Sequence, residues 1–318
     1  MVFTLIGVIA CFKKGGLFQK KTPIDENSAS LFDEQSQLLN EARERSSELL
    51  KPVEDEVSDG EVDQIWRFFV SGKDRFPIVE TLHYKSRVSW LKGRPAWVAD
   101  YAAHYATSRH FIARSLSGKR DYSAQKVSVG DRFNVFSLNK NVTFHLVVDL
   151  SRCKMWFYYH DLDANEQELI KTYKVGLGRL DSSSHFSSLT PKGRFLLGDN
   201  VAIYKPGVKG YFQGEEVEMV QVFGTRWIPF ADEVSGEGED PRGYGFHGAP
   251  WIFDEEKDAY RESVETIEKY ESDGCIRLKQ DDIEELYSIV ITKPTIVEVV
   301  TDYKQLKSLQ MLCEKMRT

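Results

Sequence analysis

Apolar and polar positions alternate through the middle of the chain with a period of two. Phe144, Leu146 and Val148 alternate with Thr143, His145 and Val147, which predicts a strand with one face inward. Asp149-Leu150-Ser151-Arg152 turns the chain, Cys153 to Tyr159 returns it, and Leu169 to Val175 predicts a third strand ending in Gly176-Leu177-Gly178. Further β segments are expected at Val217 to Val222 and Trp227 to Phe230, with a closing strand at Ile296 to Val300. Strands this short and frequent, punctuated by Gly and Pro, predict a mostly β unit of sandwich or barrel type. Helical spacing is rarer. Asp281 can cap a helix, with Glu284 three residues on, and Ile283, Leu286, Tyr287 and Val290 share its apolar face.

The stretch ahead of this unit reads differently. Arg87-Val88-Ser89-Trp90-Leu91 is strand-like, Lys92-Gly93-Arg94 breaks it, and Pro95 suits a first helical turn. Trp97, Val98, Tyr101, Ala102 and Tyr105 then form a helical stripe. Thr107 or Ser108 can cap a second helix carrying Phe111, Ile112 and Leu116, and Val129-Gly130-Asp131 leads into an alternating strand over Arg132 to Phe136. Residues 64–137 thus read as strand, helix, helix, strand.

Composition sharpens this picture. At 318 residues and 41% apolar the chain is long enough for two cored units and a tail. A net charge of −7 argues against a polyanion partner, so no nucleic acid is expected. Residues 13–62 are rich in Lys, Glu, Asp, Ser and Gln, with an acidic run at Glu54-Asp55-Glu56, and predict a flexible charged tether. Residues 1–12 are apolar, short for a membrane span of about 20 residues, and lack the basic start of a secretory signal. Val8-Ile9-Ala10-Cys11 loosely resembles a bacterial lipobox, so an N-terminal membrane anchor and an unusual signal are both open readings, and export is expected either way. Ala231 to Arg242 reads as an acidic surface loop, and residues 303–318 as a helical tail.

Candidate chemistry concentrates late in the chain. In Glu271-Ser272-Asp273-Gly274-Cys275-Ile276-Arg277-Leu278 a cysteine follows a glycine and precedes a guanidinium, and Gly245-Phe246-His247-Gly248 stands upstream. A thiolate nucleophile needs a base for its proton and donors for the developing oxyanion, which a glycine turn leaves free to point at substrate. The four cysteines Cys11, Cys153, Cys275 and Cys313 show no paired spacing, so neither a zinc site nor a disulfide scaffold is expected, nor any other cofactor. His83, His104, His110, His145, His160 and His185 sit in no ligand spacing.

Five motifs occur in order: Val147-Asp149-Leu150-Ser151, Val175 to Gly178, Leu189-Thr190-Pro191-Lys192-Gly193, Gly245 to Gly248, and Ser272 to Leu278. Together they resemble the YkuD-type L,D-transpeptidase catalytic domain over residues 141–302, and residues 64–137 resemble a LysM module, a small α+β fold of glycan-binding proteins. A packing domain without sugar affinity is the alternative for the latter. The resemblance implies a mostly β sandwich or barrel with a short helix, a place in the bacterial cell envelope, and acyl transfer on peptidoglycan stem peptides. It implies Cys275 as nucleophile and His247 as the base of a thiolate–imidazolium pair. Gly274 and the Cys275 N–H match the oxyanion region, Arg277 a carboxylate-binding position, and Ser272, Gly248 and Tyr244 the surrounding cleft. Two departures stand out: Asp273 replaces a common histidine, and the gap from His247 to Ser272 is long, which predicts a lid or loop extension at Asp254 to Glu262. Stem-peptide carboxypeptidase activity, anchoring of proteins to the wall, and a non-catalytic wall-binding role are the alternatives to cross-linking.

Overall fold

The computed structural model describes residues 61–117, 126–180, 188–234 and 238–304. The apolar start, nearly all of the tether, and the tail beyond residue 304 lie outside these residues. Among the described residues no helix is long and apolar enough to cross a membrane.

Among the described residues, seventeen strands run in chain order as β1 (Val79–His83), β2 (Arg132–Phe136), β3 (Val142–Asp149), β4 (Lys154–Asp161), β5 (Glu166–Lys174), β6 (Leu177–Gly178), β7 (Gly193–Leu197), β8 (Ala202–Ile203), β9 (Lys209–Phe212), β10 (Glu215–Glu218), β11 (Arg226–Glu233), β12 (Gly245–Gly248), β13 (Trp251–Asp254), β14 (Ala259–Glu262), β15 (Tyr270–Ser272), β16 (Ile276–Leu278) and β17 (Thr295–Val300). Among the same residues four α-helices accompany them: α1 (Val98–His104), α2 (Arg109–Ser117), α3 (Val220–Phe223) and α4 (Gln280–Val290). The main sheet has the order β16-β12-β11-β7-β17-β3-β4-β5, with β8 added beside β11. Within it β17 runs parallel to β3 and β12 parallel to β16, while the other pairings are antiparallel.

The alternation in β3 places Phe144, Leu146 and Val148 in the main core. Its other face is not open to solvent as expected: Val147 packs with Trp156 and Tyr158 in a second cluster, and Tyr303 stacks on Trp156 at 4.6 Å. Helix α4 lies beneath the site's end of the sheet, burying Ile283, Leu286, Ile289 and Val290. It begins at Lys279 rather than at an Asp281 cap, and Asp281 and Asp282 instead occupy the first turn, where the helix dipole favours carboxylates.

Residues 61–137 contain the order strand, helix, helix, strand, with β1 and β2 antiparallel, but the first strand is Val79–His83. The expected strand at Arg87 to Leu91 is an irregular stretch with a single Val88–Leu91 bridge, because Leu82, Val88, Trp90 and Leu91 pack against a small core of Tyr101, Ile112 and Phe133 rather than pairing in a ladder. Helix α1 starts at Val98, later than Pro95, and the Ser108 hydroxyl accepts the Phe111 N–H at 3.0 Å to cap α2. The same hydroxyl donates to the Ser288 carbonyl of α4, so the cap also ties the two helices together.

This module also shares the main core. Phe68 lies 4.7 Å from Phe76, 5.8 Å from Phe111, 6.2 Å from Phe136 and 6.3 Å from Phe144 between ring centroids, which places side chains of both segments in one aromatic cluster. Residues 62–64 pair along the outer edge of β5, where the Gln64 N–H donates to Ile170 O at 2.8 Å and the Thr172 N–H to Val62 O at 2.9 Å. Covering that edge removes a row of unpaired backbone groups. Lys171 adds ion pairs to Asp63 at 3.3 Å, Asp282 at 3.1 Å and Glu285 at 2.7 Å.

Phe68→Ala is therefore expected to cost ~3–5 kcal/mol, the usual range for truncating a buried phenylalanine. Urea unfolding should show one cooperative transition moved to lower denaturant. A separate early transition with the main one unmoved would mean that the two segments do not share a core.

Candidate active site

The site is made by the parallel pairing of β12 with β16, in register Phe246 with Ile276, His247 with Arg277, and Gly248 with Leu278. Paired residues of a parallel ladder project on the same side, so Arg277 stands beside His247. Cys275 immediately precedes β16, on the same side by the two-residue period. Its thiol is half-buried over the turn entering β12, donating weakly to Gly243 O at 3.8 Å.

The loop ahead of Cys275 is held by Ser272. Its buried hydroxyl donates to Cys275 O at 2.6 Å and accepts the Gly274 N–H at 3.1 Å. Ser272 therefore shapes the loop and has no hydroxyl left over for substrate, and the Gly274 N–H expected in the oxyanion region is already taken. Gly274 has φ +119, a left-handed conformation. A Cβ there would also meet Tyr244 Cε1 at 2.3 Å and Leu189 O at 2.7 Å, so Tyr244 and the Leu189-Thr190 stretch both close directly on this loop.

His247 is 3% exposed, and its Nδ1–H donates to Gly248 O at 2.7 Å. A carbonyl can only accept, so the proton of the neutral ring is on Nδ1 and Nε2 is left as a base. Gly248 thus serves the site through its carbonyl, as the group that orients the histidine. Burial holds His247 down to about 3, against the stabilising Gly248 bond and with a smaller push from the Arg277 charge. Burial pushes the Cys275 thiol up to about 11, opposed by the Gly245 N–H and the Arg277 guanidinium and reinforced by Asp273. Both groups are consequently neutral near pH 7. Burial opposes both charged forms of the thiolate–imidazolium pair that the resemblance implies. Arg277 is half-buried, and its Nε has no hydrogen-bond partner among the described residues.

Several residues at the site escaped the sequence reading. Trp227 pairs with His247 across β11 and β12, and Phe223 packs edge-on to the imidazole at 5.4 Å. The stretch Val217 to Val222, expected as strand, divides between β10 and α3; that short turn is what aims Phe223 at His247. Phe212 of β9 packs in turn on Phe223 at 5.6 Å. Asp273 accepts from Arg179 Nη2 at 2.5 Å and from Gln213 Nε2 at 3.4 Å. No local pattern marks these side chains; only the register of distant strands collects them. The charged insert Asp254 to Glu262 is a regular hairpin of β13 and β14, tied to α3 by a 3.2 Å bond between Gln221 Nε2 and Tyr260 OH.

These protonation states set a pH dependence. Thiolate accumulates as pH rises toward about 11, so alkylation of Cys275 by iodoacetamide should accelerate roughly tenfold per pH unit between 7 and 10. His247, with its proton already lost above about 3, should leave no inflection near neutrality. A rate that levels off by pH 7, followed by mass spectrometry of the modified peptide, would show a resting ion pair instead.

Comparison with known proteins bears on the same segment. No curated protein matches the chain. The helical cell shape determining protein Pgp2 from Campylobacter jejuni aligns at 16% identity with a TM-score of 0.32, over 51% of this chain and 49% of its own. Bd1075 of Bdellovibrio bacteriovorus aligns at 16% identity with a TM-score of 0.35, over 54% and 55%. This chain spans about half the length of those two, and superpositions this loose carry no argument about its activity. Residues 143–299 match the family model of YkuD, the L,D-transpeptidase catalytic domain, and this part of the chain is a domain of that family.

Proposed function

We propose that this protein is a peptidoglycan L,D-transpeptidase of the bacterial cell envelope, with Cys275 as nucleophile and His247 as general base. The observation that supports this reading is the β12–β16 pairing, with the imidazole of His247 on one strand, its Nε2 left unprotonated, and the half-buried thiol of Cys275 at the start of the other, inside a segment matched to that family. The apolar N-terminus would place the domain outside the cytoplasm, through a signal or an anchor.

The reaction follows from those protonation states. Cys275 Sγ attacks the carbonyl that joins the third stem residue to a terminal D-alanine, and its proton passes to His247 Nε2 as the sulfur–carbon bond forms. Transfer at that moment avoids maintaining a buried charge pair beforehand. The Cys275 N–H offers the developing oxyanion a donor, since the Gly274 N–H is engaged by Ser272. Collapse of the tetrahedral species expels D-alanine, whose nitrogen takes the proton from His247, and leaves a thioester on Cys275. The side-chain amine of a third-position diamino acid on a neighbouring stem then attacks the thioester, with His247 accepting its proton and returning it to the departing thiolate. In this reading the half-buried Arg277 guanidinium holds a substrate carboxylate, and Tyr244, beside the Gly274 loop, and the aromatic pair Phe223 and Trp227 line the substrate's path. Water in place of the amine would give a stem-peptide carboxypeptidase, and a protein amine would give anchoring to the wall.

Purified tetrapeptide muropeptides incubated with the full chain should yield cross-linked dimers and free D-alanine. A carbapenem should leave a covalent adduct on Cys275, detected by mass spectrometry. Cys275→Ala should lose at least about 10³-fold in turnover and all of the adduct. Tripeptide alone as product would favour the hydrolase, and a folded protein with neither product nor adduct would overturn the enzyme reading.

A further inference from the structure

An acid beside a nucleophilic thiol needs an explanation. Asp273 is two residues from Cys275, and a carboxylate there opposes the negative charge that the sulfur acquires during attack. The groups facing the Cys275 loop are His247 from β12, Arg277 from β16, Asp273 itself and Tyr244 from the turn before β12. Glu271 of β15 lies further out and acts on Arg277. Among these Asp273 is the one that works against the thiolate by its charge.

Asp273 is also the one that is neutralised from outside the loop. Its Oδ1 accepts from Arg179 Nη2 at 2.5 Å, while its Oδ2 accepts from Gln213 Nε2 at 3.4 Å. Arg179 is built into the scaffold of the site: its N–H donates to Ser272 O at 2.9 Å and its carbonyl accepts the Leu189 N–H at 2.9 Å. Its backbone therefore borders the nucleophile's loop, and its side chain reaches the carboxylate from the β6 end. Gln213 lies in the tight turn between β9 and β10, with φ +52 followed by Gly214 at +92, so its amide comes from the tip of that hairpin.

We propose that Arg179 is a positioning residue for Cys275: it cancels the charge of Asp273 and, together with Gln213, turns that carboxylate away from the sulfur. Asp273 in turn pins the tip of the β9–β10 hairpin to the nucleophile's loop. The inference rests on the reading of Cys275 as the nucleophile, and it assigns to a rim ion pair the task of keeping an adjacent acid from suppressing the thiolate. A pair that served only stability would move the melting temperature and leave the thiol's pH profile where it was.

The test is the pH profile of Cys275 alkylation by iodoacetamide, mapped by mass spectrometry, in the full chain and three variants. Arg179 and Asp273 side chains are 62% and 56% exposed, so substitution does not threaten the fold. Arg179→Ala should slow alkylation at pH 8 roughly threefold, with the profile displaced to higher pH. Arg179→Lys should recover most of the loss. Asp273→Asn should react at least as fast as the parent, and the double variant Arg179→Ala with Asp273→Asn should match Asp273→Asn alone. An unchanged profile in Arg179→Ala overturns the proposal, as does the same slowing in the Asp273→Asn background, since Arg179 would then act without Asp273. A Cys275 unreactive at every pH in the parent would refute the nucleophile reading itself, which separates the two failures.

Discussion

Everything at this site depends on one parallel strand pair. β12 and β16 are short, and neither carries the whole of the chemistry: His247 is on one and Cys275 leads into the other. Three layers keep the pair in register. β11 runs antiparallel on the outer side of β12 with Trp227 opposite His247, α4 packs below with Ile283 against the Gly248 backbone, and the Arg277 backbone exchanges 2.8 Å bonds with Gly176. A one-residue slip would turn His247 to the other face of the sheet, away from the side that carries Arg277. The apolar core beneath therefore fixes the active-site register as well as the fold.

Burial is the second constraint, and it sets the chemistry that the register permits. Enclosing an imidazole and a thiol penalises both charged forms, and a carbonyl fixes the proton of the neutral imidazole on Nδ1. In the proposed reaction the proton moves when an electrophile arrives to absorb the sulfur's charge. In a site so short of solvent the nearest fixed charges count heavily. Arg277 favours the thiolate and Asp273 opposes it, and the ion pair of Asp273 with Arg179 sits where that balance is decided.

The segment before the catalytic domain is part of the same construction. Phe68, Phe76, Phe111 and Phe136 meet Phe144 in one aromatic cluster, and residues 62–64 cover the free edge of β5. An edge left bare would invite pairing with other chains, so these residues contribute order to the sheet.

Much of this was legible in the chain itself. Period-two alternation located β2 and β3, short apolar runs located β4, β5 and β17, a helical stripe located α4, and the run from Ser272 to Leu278 with Gly245 to Gly248 singled out Cys275 and His247, because local geometry and motif order are written in neighbouring residues. What escaped were contacts between residues far apart in sequence. The first strand lies at Val79–His83 because Val79 and Phe136 pair across β1 and β2, a partnership that no local pattern around residue 79 announces. Ser272 and Gly248 were legible as members of the motif, but their parts in shaping the loop and orienting the imidazole depend on hydrogen bonds seen only in three dimensions. Arg179, Gln213, Phe223 and Trp227 carry no motif at all; sheet register and hairpin packing bring Phe223 and Trp227 to His247, and Arg179 and Gln213 to Asp273. The sequence by itself determined which residues could react and the kind of sheet that carries them. Tertiary structure decided the protonation of the pair and the neutralisation of Asp273, because burial and ion pairing are properties of the assembled neighbourhood and not of any stretch of chain.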